Sequence, residues 1–250
     1  MEHVTSADGT RIAMDRTGSG PPLVLVGGAL STRDAGIPLT EEVQSEYTVY
    51  RYDRRGRGDS GDTPPYRVER EIEDLAAVIE AADGSAFVYG NSSGAVLALR
   101  AAEAGLPIRR LGLFEPPFVG GDPDAIPKIS RFLDEEDRAG AIRFFLISIG
   151  VPAEMVDASA DPALEALAHT IVYDLTITGD NDGLVPVDRL ARIDAPALVI
   201  SSTGSAEPMR EAAQATADLL PNGVYRSLAG GWHGVPDADL ADLIKQFFVE

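Results

Sequence analysis

The chain has 250 residues, 44% of them hydrophobic, and 40 acidic side chains against 21 basic ones give it a formal charge of −19. That length supports one large core, with or without an insertion, while the acidic excess excludes a nucleic-acid surface, where a basic face must neutralise phosphates. The lack of cysteine excludes disulfides and thiolate metal sites, and the lack of an ~18-residue apolar run or a basic, apolar leader predicts a cytoplasmic protein without membrane partners.

In chain order, EHVTSADGTRIAMDRTG reads as a hairpin turning at Asp8-Gly9, a pair that accepts positive φ. PPLVLVGGAL is a nearly continuous apolar run ending in glycines, as in a strand buried on both faces. YTVYRYD is another, and helical spacing over residues 33–46 lies between them. EREIEDLAAVIEAA reads as a helix, SAFVYG as a strand, SGAVLALRAAEAG as a helix and RRLGLFE as a strand. APALVISS, EPMREAAQATADLL, GVYRSL and DADLADLIKQFF then continue the alternation. Strand, helix, strand in succession predicts right-handed crossovers and an α/β fold, a mostly parallel central sheet with helices on both faces.

One interval breaks the rhythm. Roughly 75 residues separate LFEPP from APALVI, too many for a single crossover. AIPKISRFLDEEDRAGAIRFFLISIG and DPALEALAHTIVYDLTI within it carry helical spacing. The expectation is a helical lid over 119–190, inserted in a core domain of 1–118 and 191–250. AIRFFLISIGVP is too short to span a membrane and carries Arg143, so its apolar residues, Phe144 and Phe145 foremost, are expected to pack over a substrate.

Chemistry concentrates at FVYGNSSGAVLALR. In an open parallel sheet ligands gather at the carboxyl ends of strands, and here SAFVYG ends just as a helix begins. Ser92 is flanked two residues away on each side by Gly90 and Gly94; Ser93 is not. A serine in so sharp a turn adopts a strained backbone that lifts its hydroxyl clear of the sheet, and side chains at the glycine positions would collide with neighbouring backbone. GRGDSG, residues 56–61, satisfies the spacing of a dinucleotide loop, but DTPPY follows where a helix must open. It is expected to be a structural loop tied down by Asp53 and Arg55, and no metal or organic cofactor is expected.

LVLVGGAL, YDRRGRGDSGD, VYGNSSGA and GGWHGVP, in this order and spacing, resemble the α/β-hydrolase superfamily, in particular its small cofactor-free serine hydrolases, over essentially the whole chain. The resemblance implies a nucleophile at Ser92 and an oxyanion hole from the backbone N–H groups of Ala29 and Ser93. Gly27 stands where the family usually has histidine, which leaves those amides intact. The catalytic histidine of the family corresponds to His233, in the loop AGGWHGVP; His3, in the terminal hairpin, and His169, in an amphipathic helix, are read as structural. The acid departs from the pattern. Most relatives follow the strand PALVISS with Gly-x-x-Asp, whose outer positions are Ser202 and Ser205 here. Two carboxylates compete for the role: Glu115, at the end of RRLGLFE, where haloalkane dehalogenases and some lipase relatives keep their acid, and Glu207, two residues beyond the usual place. Glu115 is preferred because the end of a buried strand is rigidly positioned, whereas Glu207 opens a helix and is suited to capping it.

The expected function is a serine hydrolase acting on a small ester, lactone or thioester, with Leu30, Phe118, Phe144, Phe145 and Trp232 as candidate pocket residues. A cofactor-free perhydrolase or lyase on the same triad, or a non-catalytic hydrolase-fold binding protein, are the alternatives. The nucleophilic aspartate of epoxide hydrolases and haloalkane dehalogenases is absent from position 92, which excludes those two chemistries. The sequence leaves the oligomeric state open.

Overall fold

The computed structural model describes residues 1–158 and 161–249. Eight strands form one sheet: β1 Glu2–Thr5, β2 Arg11–Gly18, β3 Pro22–Val26, β4 Thr48–Tyr52, β5 Ala86–Asn91, β6 Ile108–Phe114, β7 Ala197–Ser202 and β8 Gly223–Leu228. Their spatial order is β1-β2-β4-β3-β5-β6-β7-β8, with β2 antiparallel to both neighbours and every pair from β4 to β8 parallel. The β1–β2 turn forms at Asp8-Gly9: Gly9 takes φ 88 and the Asp8 carboxylate accepts the Thr10 N–H at 3.0 Å. β3 and β4 are buried at every position, as apolar runs covered on both faces must be.

Side-chain alternation along the strands divides the core. Val24, Val26, Val88 and Leu113 point to the face covered by α2 (Val68–Ala81), α3 (Ser93–Glu103) and a helix at Glu207–Leu219. Leu23, Leu25, Phe87 and Leu198 point to the opposite face, covered by α1 (Ile37–Val43) and the closing helix Asp237–Phe247. The helical stretch expected over 33–46 is shorter: a 3-10 turn at Arg33–Gly36 leads into α1, which ends at Val43.

Between β6 and β7 the chain runs through α4 (Ala125–Asp134), α5 (Arg138–Ser148), α6 (Ala153–Ala158), α7 (Pro162–Leu167), α8 (Ile171–Thr178) and α9 (Val187–Leu190); the two helices after β7 are therefore α10 and α11. A bridge between Val119 and Leu184 and a hydrogen bond from Gly120 N–H to the Gly183 carbonyl (2.9 Å) close the neck of this insertion. Its own core joins Ile129, Ile142, Phe145 and Ile171, and Ala29 and Leu30 of the loop after β3 pack against it. Among the described residues no helix is long and apolar enough to cross a membrane.

Candidate active site

Ser92 lies between the end of β5 and the first residue of α3, with φ 56 and ψ −122. Few L-residues adopt this conformation, which costs ~1–3 kcal/mol and persists only where the surroundings impose it. Here they do: the Ser92 N–H donates to the Phe114 carbonyl of β6 (2.9 Å), and its own carbonyl accepts from Ala95 (2.9 Å). A Cβ on Gly90 would stand 2.5 Å from the Gly94 oxygen, and one on Gly94 would stand 2.6 Å from the Gly27 oxygen. Neither position accepts a side chain.

Glu115, the residue after β6, is fully buried and has φ 44. Its backbone is fixed by donation to the Ile200 carbonyl of β7 (2.9 Å). One carboxylate oxygen accepts the Ser202 N–H (2.7 Å); the other accepts the Ser205 hydroxyl (3.0 Å) and meets His233 Nδ1 at 2.5 Å. Ser205 Oγ in turn accepts the His233 N–H (3.0 Å), and Ser202 Oγ donates to the Gly231 carbonyl (2.7 Å), holding the histidine loop. Ser202 and Ser205, at the positions aligned with the usual acid, thus hold the carboxylate of Glu115 from the neighbouring strand. Glu207 is exposed in the first turn of α10, beside Arg210 and Glu211. The N-cap position is Ala206, without a side-chain cap, so Glu207 makes no capping hydrogen bond, and among the described residues it has no hydrogen bond to His233. His3 is exposed on the edge strand β1, and His169 sits in the turn before α8.

Ser92 and His233 border the same cavity, about 430 Å³ in volume, under the insertion. Gly28 brings the loop after β3 against the elbow, since a Cβ there would lie 3.2 Å from Ser92 Cβ. Among the described residues, the amides of Ala29 and Ser93 have no protein acceptor. Leu30, Phe145 and Trp232 line the cavity. Phe118 does not: it is buried in the main core beside Val96 and Leu99. Phe144 also turns away, packing against Phe132 and Lys128. Leu146, Met155 and Leu164 of the insertion line the cavity instead.

A buried charge cluster stands behind the β3 loop. Arg54 pairs with Glu71 through Nε (2.6 Å) and Nη2 (2.8 Å) and with Asp174 through Nη1 (2.7 Å), while Arg57 Nη2 meets the other Asp174 oxygen (2.7 Å). Burial would raise the Asp174 carboxyl, but Arg57, Arg54 and the Ser93 hydroxyl hold it below the ordinary carboxylate value. Sequence reasoning passed over these residues. Their one signal was an aspartate inside the apolar helix HTIVYDLTI, which has to find a partner if buried. The GRGDSG loop is structural in its packing: Asp53 accepts the Asp59 N–H (2.9 Å), Arg55 binds Asp74 with two hydrogen bonds (2.8 Å each), and no helix opens at Gly61. Among the described residues no group of three or more histidine or carboxylate side chains is arranged to hold a metal.

A largely parallel sheet with one reversed strand, a serine forced into a strand-to-helix turn and a histidine–carboxylate pair across the strand ends define an α/β-hydrolase. The profile of the alpha/beta hydrolase family matches residues 23–245, and the chain belongs to that family. Among solved structures it is similar to an alpha/beta hydrolase from Sphaerobacter thermophilus DSM 20745, 48% identical over 99% of this chain and 100% of that one, with a TM-score of 0.94. The enol-lactonase from Burkholderia xenovorans LB400 shares the fold at 20% identity, covering 100% of both chains with a TM-score of 0.77. A stretch of 95 residues is 35% identical to the uncharacterized hydrolase YraK of Bacillus subtilis (strain 168), spanning 36% of this chain and 35% of that protein.

Proposed function

We propose that the protein is a serine hydrolase that cleaves a small, neutral to moderately apolar ester, lactone or thioester through an acyl-enzyme intermediate. The observation that carries this reading is the 2.5 Å contact of His233 Nδ1 with Glu115, at a cavity shared with a serine of positive φ. With Glu115 accepting the Nδ1 proton, Nε2 is the basic nitrogen. Ser92 Oγ attacks the acyl carbon as Nε2 takes its proton, and the carbonyl oxygen becomes an oxyanion that accepts hydrogen bonds from the Ala29 and Ser93 amides. The imidazolium then protonates the departing alkoxide or thiolate, leaving the acyl group on Ser92. Water, deprotonated by the same histidine, adds to the acyl carbon; Ser92 leaves with the proton, and the acid is released. Glu115 keeps its hydrogen bond to Nδ1 throughout and stabilises the imidazolium.

The size and lining of the cavity support the substrate class. Its volume lies toward the lower end of the ~300–1,000 Å³ of small-molecule pockets, and Leu30, Phe145, Leu146, Met155 and Trp232 offer an apolar surface. The fold shared with an enol-lactonase agrees with including cyclic esters. A fluorophosphonate probe followed by peptide mapping tests the assignment. Labelling confined to Ser92 and lost in Ser92→Ala is expected; labelling at Ser93, or persisting in Ser92→Ala, overturns it. A panel of esters graded by acyl length then reports the preference.

A further inference from the structure

We infer that Asp174, on α8 of the insertion, is a positioning residue that sets both halves of the oxyanion hole from behind. The inference rests on the serine-hydrolase reading above. One Asp174 oxygen accepts the Ser93 hydroxyl and Arg54 Nη1, each at 2.7 Å, and the other accepts Arg57 Nη2 at 2.7 Å. Two of these partners hold the donors of the hole. Ser93 owns one of the two donor amides. Arg57 Nη1 donates to the Gly28 carbonyl at 2.6 Å, and Ser31 Oγ donates to the same oxygen at 2.7 Å. Gly28 C=O and Ala29 N–H belong to one peptide plane and point in opposite directions across it. Fixing that carbonyl therefore aims the second donor amide, and a guanidinium on the carbonyl polarises the peptide and strengthens its N–H as a donor. Arg54 Nη1 reaches the Gly27 carbonyl as well, at 3.3 Å.

Asp174, Arg54, Arg57 and Ser93 are all at least 98% buried. An apolar contact between α8 and the elbow would have anchored the helix without desolvating charges, and buried ion pairs are poor sources of net stability. What such a cluster supplies is direction, since each hydrogen bond fixes an angle as well as a distance. The insertion thus carries the group that aligns the two amides, in addition to forming a wall of the cavity.

Two variants test this by separating kcat from KM. Asp174→Asn keeps the shape but removes the charge that binds both guanidiniums; Ser93→Ala removes only the hydroxyl and leaves the donor amide. For each, kcat and KM on a short ester are measured together with the inhibition constant of an arylboronic acid, whose tetrahedral adduct places an oxygen in the hole. Loss of an entire oxyanion donor lowers kcat by about 10²–10³, so misaimed donors should lower it by about 10–100-fold in Asp174→Asn and about 3–10-fold in Ser93→Ala. KM should stay within about twofold, and boronic-acid affinity should fall in parallel with kcat. A folded Asp174→Asn protein, or Ser93→Ala if the former does not fold, with kcat and boronic-acid affinity within twofold of wild type overturns the inference while leaving the hydrolase reading intact. A wild-type protein that takes no fluorophosphonate label on Ser92 overturns both.

Discussion

Two buried carboxylates stand near the strand ends, one on His233 and one on Ser93, and their surroundings differ in kind. Glu115 is held by a backbone N–H, a serine hydroxyl and the His233 ring. Asp174 is held by two guanidiniums and a serine hydroxyl. In the proposed mechanism the difference follows from the tasks. Glu115 has to meet a positive charge that exists only while His233 carries the Ser92 proton, so fixed cations around it would cancel the field the imidazolium needs. Asp174 meets no transient charge. Its cations are permanent, and neutralising it completely is what makes its burial tolerable. Neutral partners mark the carboxylate that works during the reaction, and charged partners mark the one that holds shape.

Substitutions separate the two carboxylates. The largest effect is expected from Glu115→Gln, which should lower kcat by on the order of 10³–10⁴ with little change in KM and little change in thermal stability; an equal loss in Tm and activity would make Glu115 structural too. Arg54→Met should act chiefly on stability, costing about 3–5 kcal/mol in chemical denaturation because Glu71 and Asp174 lose a shared cation, with a loss of kcat no larger than that of Asp174→Asn. On the wall of the cavity, Phe145→Ala should change preference among acyl lengths by about tenfold, as one or two buried methylene contacts are worth, whereas Phe144→Ala, which faces Phe132, should leave the ranking unaltered. Kinetics across an ester series distinguishes them. Acidification gives a smaller effect. The Asp174 carboxyl is held below its ordinary value by Arg57 and Arg54 against the opposing effect of burial, so its stabilisation is present above the unfolded carboxyl value of about 3.9 and is lost as pH falls through the lower folded value. Tm measured from pH 7 down to pH 3 should therefore fall more steeply in wild type than in Asp174→Asn.

The alternation of apolar strands with amphipathic helices made the sheet and its covering helices readable, because runs such as PLVLV have no other place than between two layers. The positions of Ser92, Glu115 and His233 at the carboxyl end of the sheet were readable for a related reason. Ser92 and Glu115 follow the ends of buried strands, His233 stands beside Gly234 in the loop between β8 and α11, and all three have positive φ. Helix phase in the insertion was not readable. RAGAIRFFLIS in α5 places apolar residues on nearly every side, so the sequence does not say whether Phe144 or Phe145 faces inward, and Phe118 follows Pro116 and Pro117 into the core at an angle set by tertiary packing. The Asp174 cluster was hidden because its members come from three separate segments, the loop after β4, α2 and α8, and only the fold brings Arg54, Glu71 and Asp174 together.

The role of Glu115 shows in the second-order rate at which a fluorophosphonate modifies Ser92 at neutral pH, compared between wild type, Glu115→Gln and Glu207→Gln. If Glu115 orients His233 and stabilises its charge, the Glu115→Gln rate falls by on the order of 10³, while Glu207→Gln, altered at an exposed position in the first turn of α10, reacts like wild type. Equal rates for wild type and Glu115→Gln, or a loss confined to Glu207→Gln, would contradict the account.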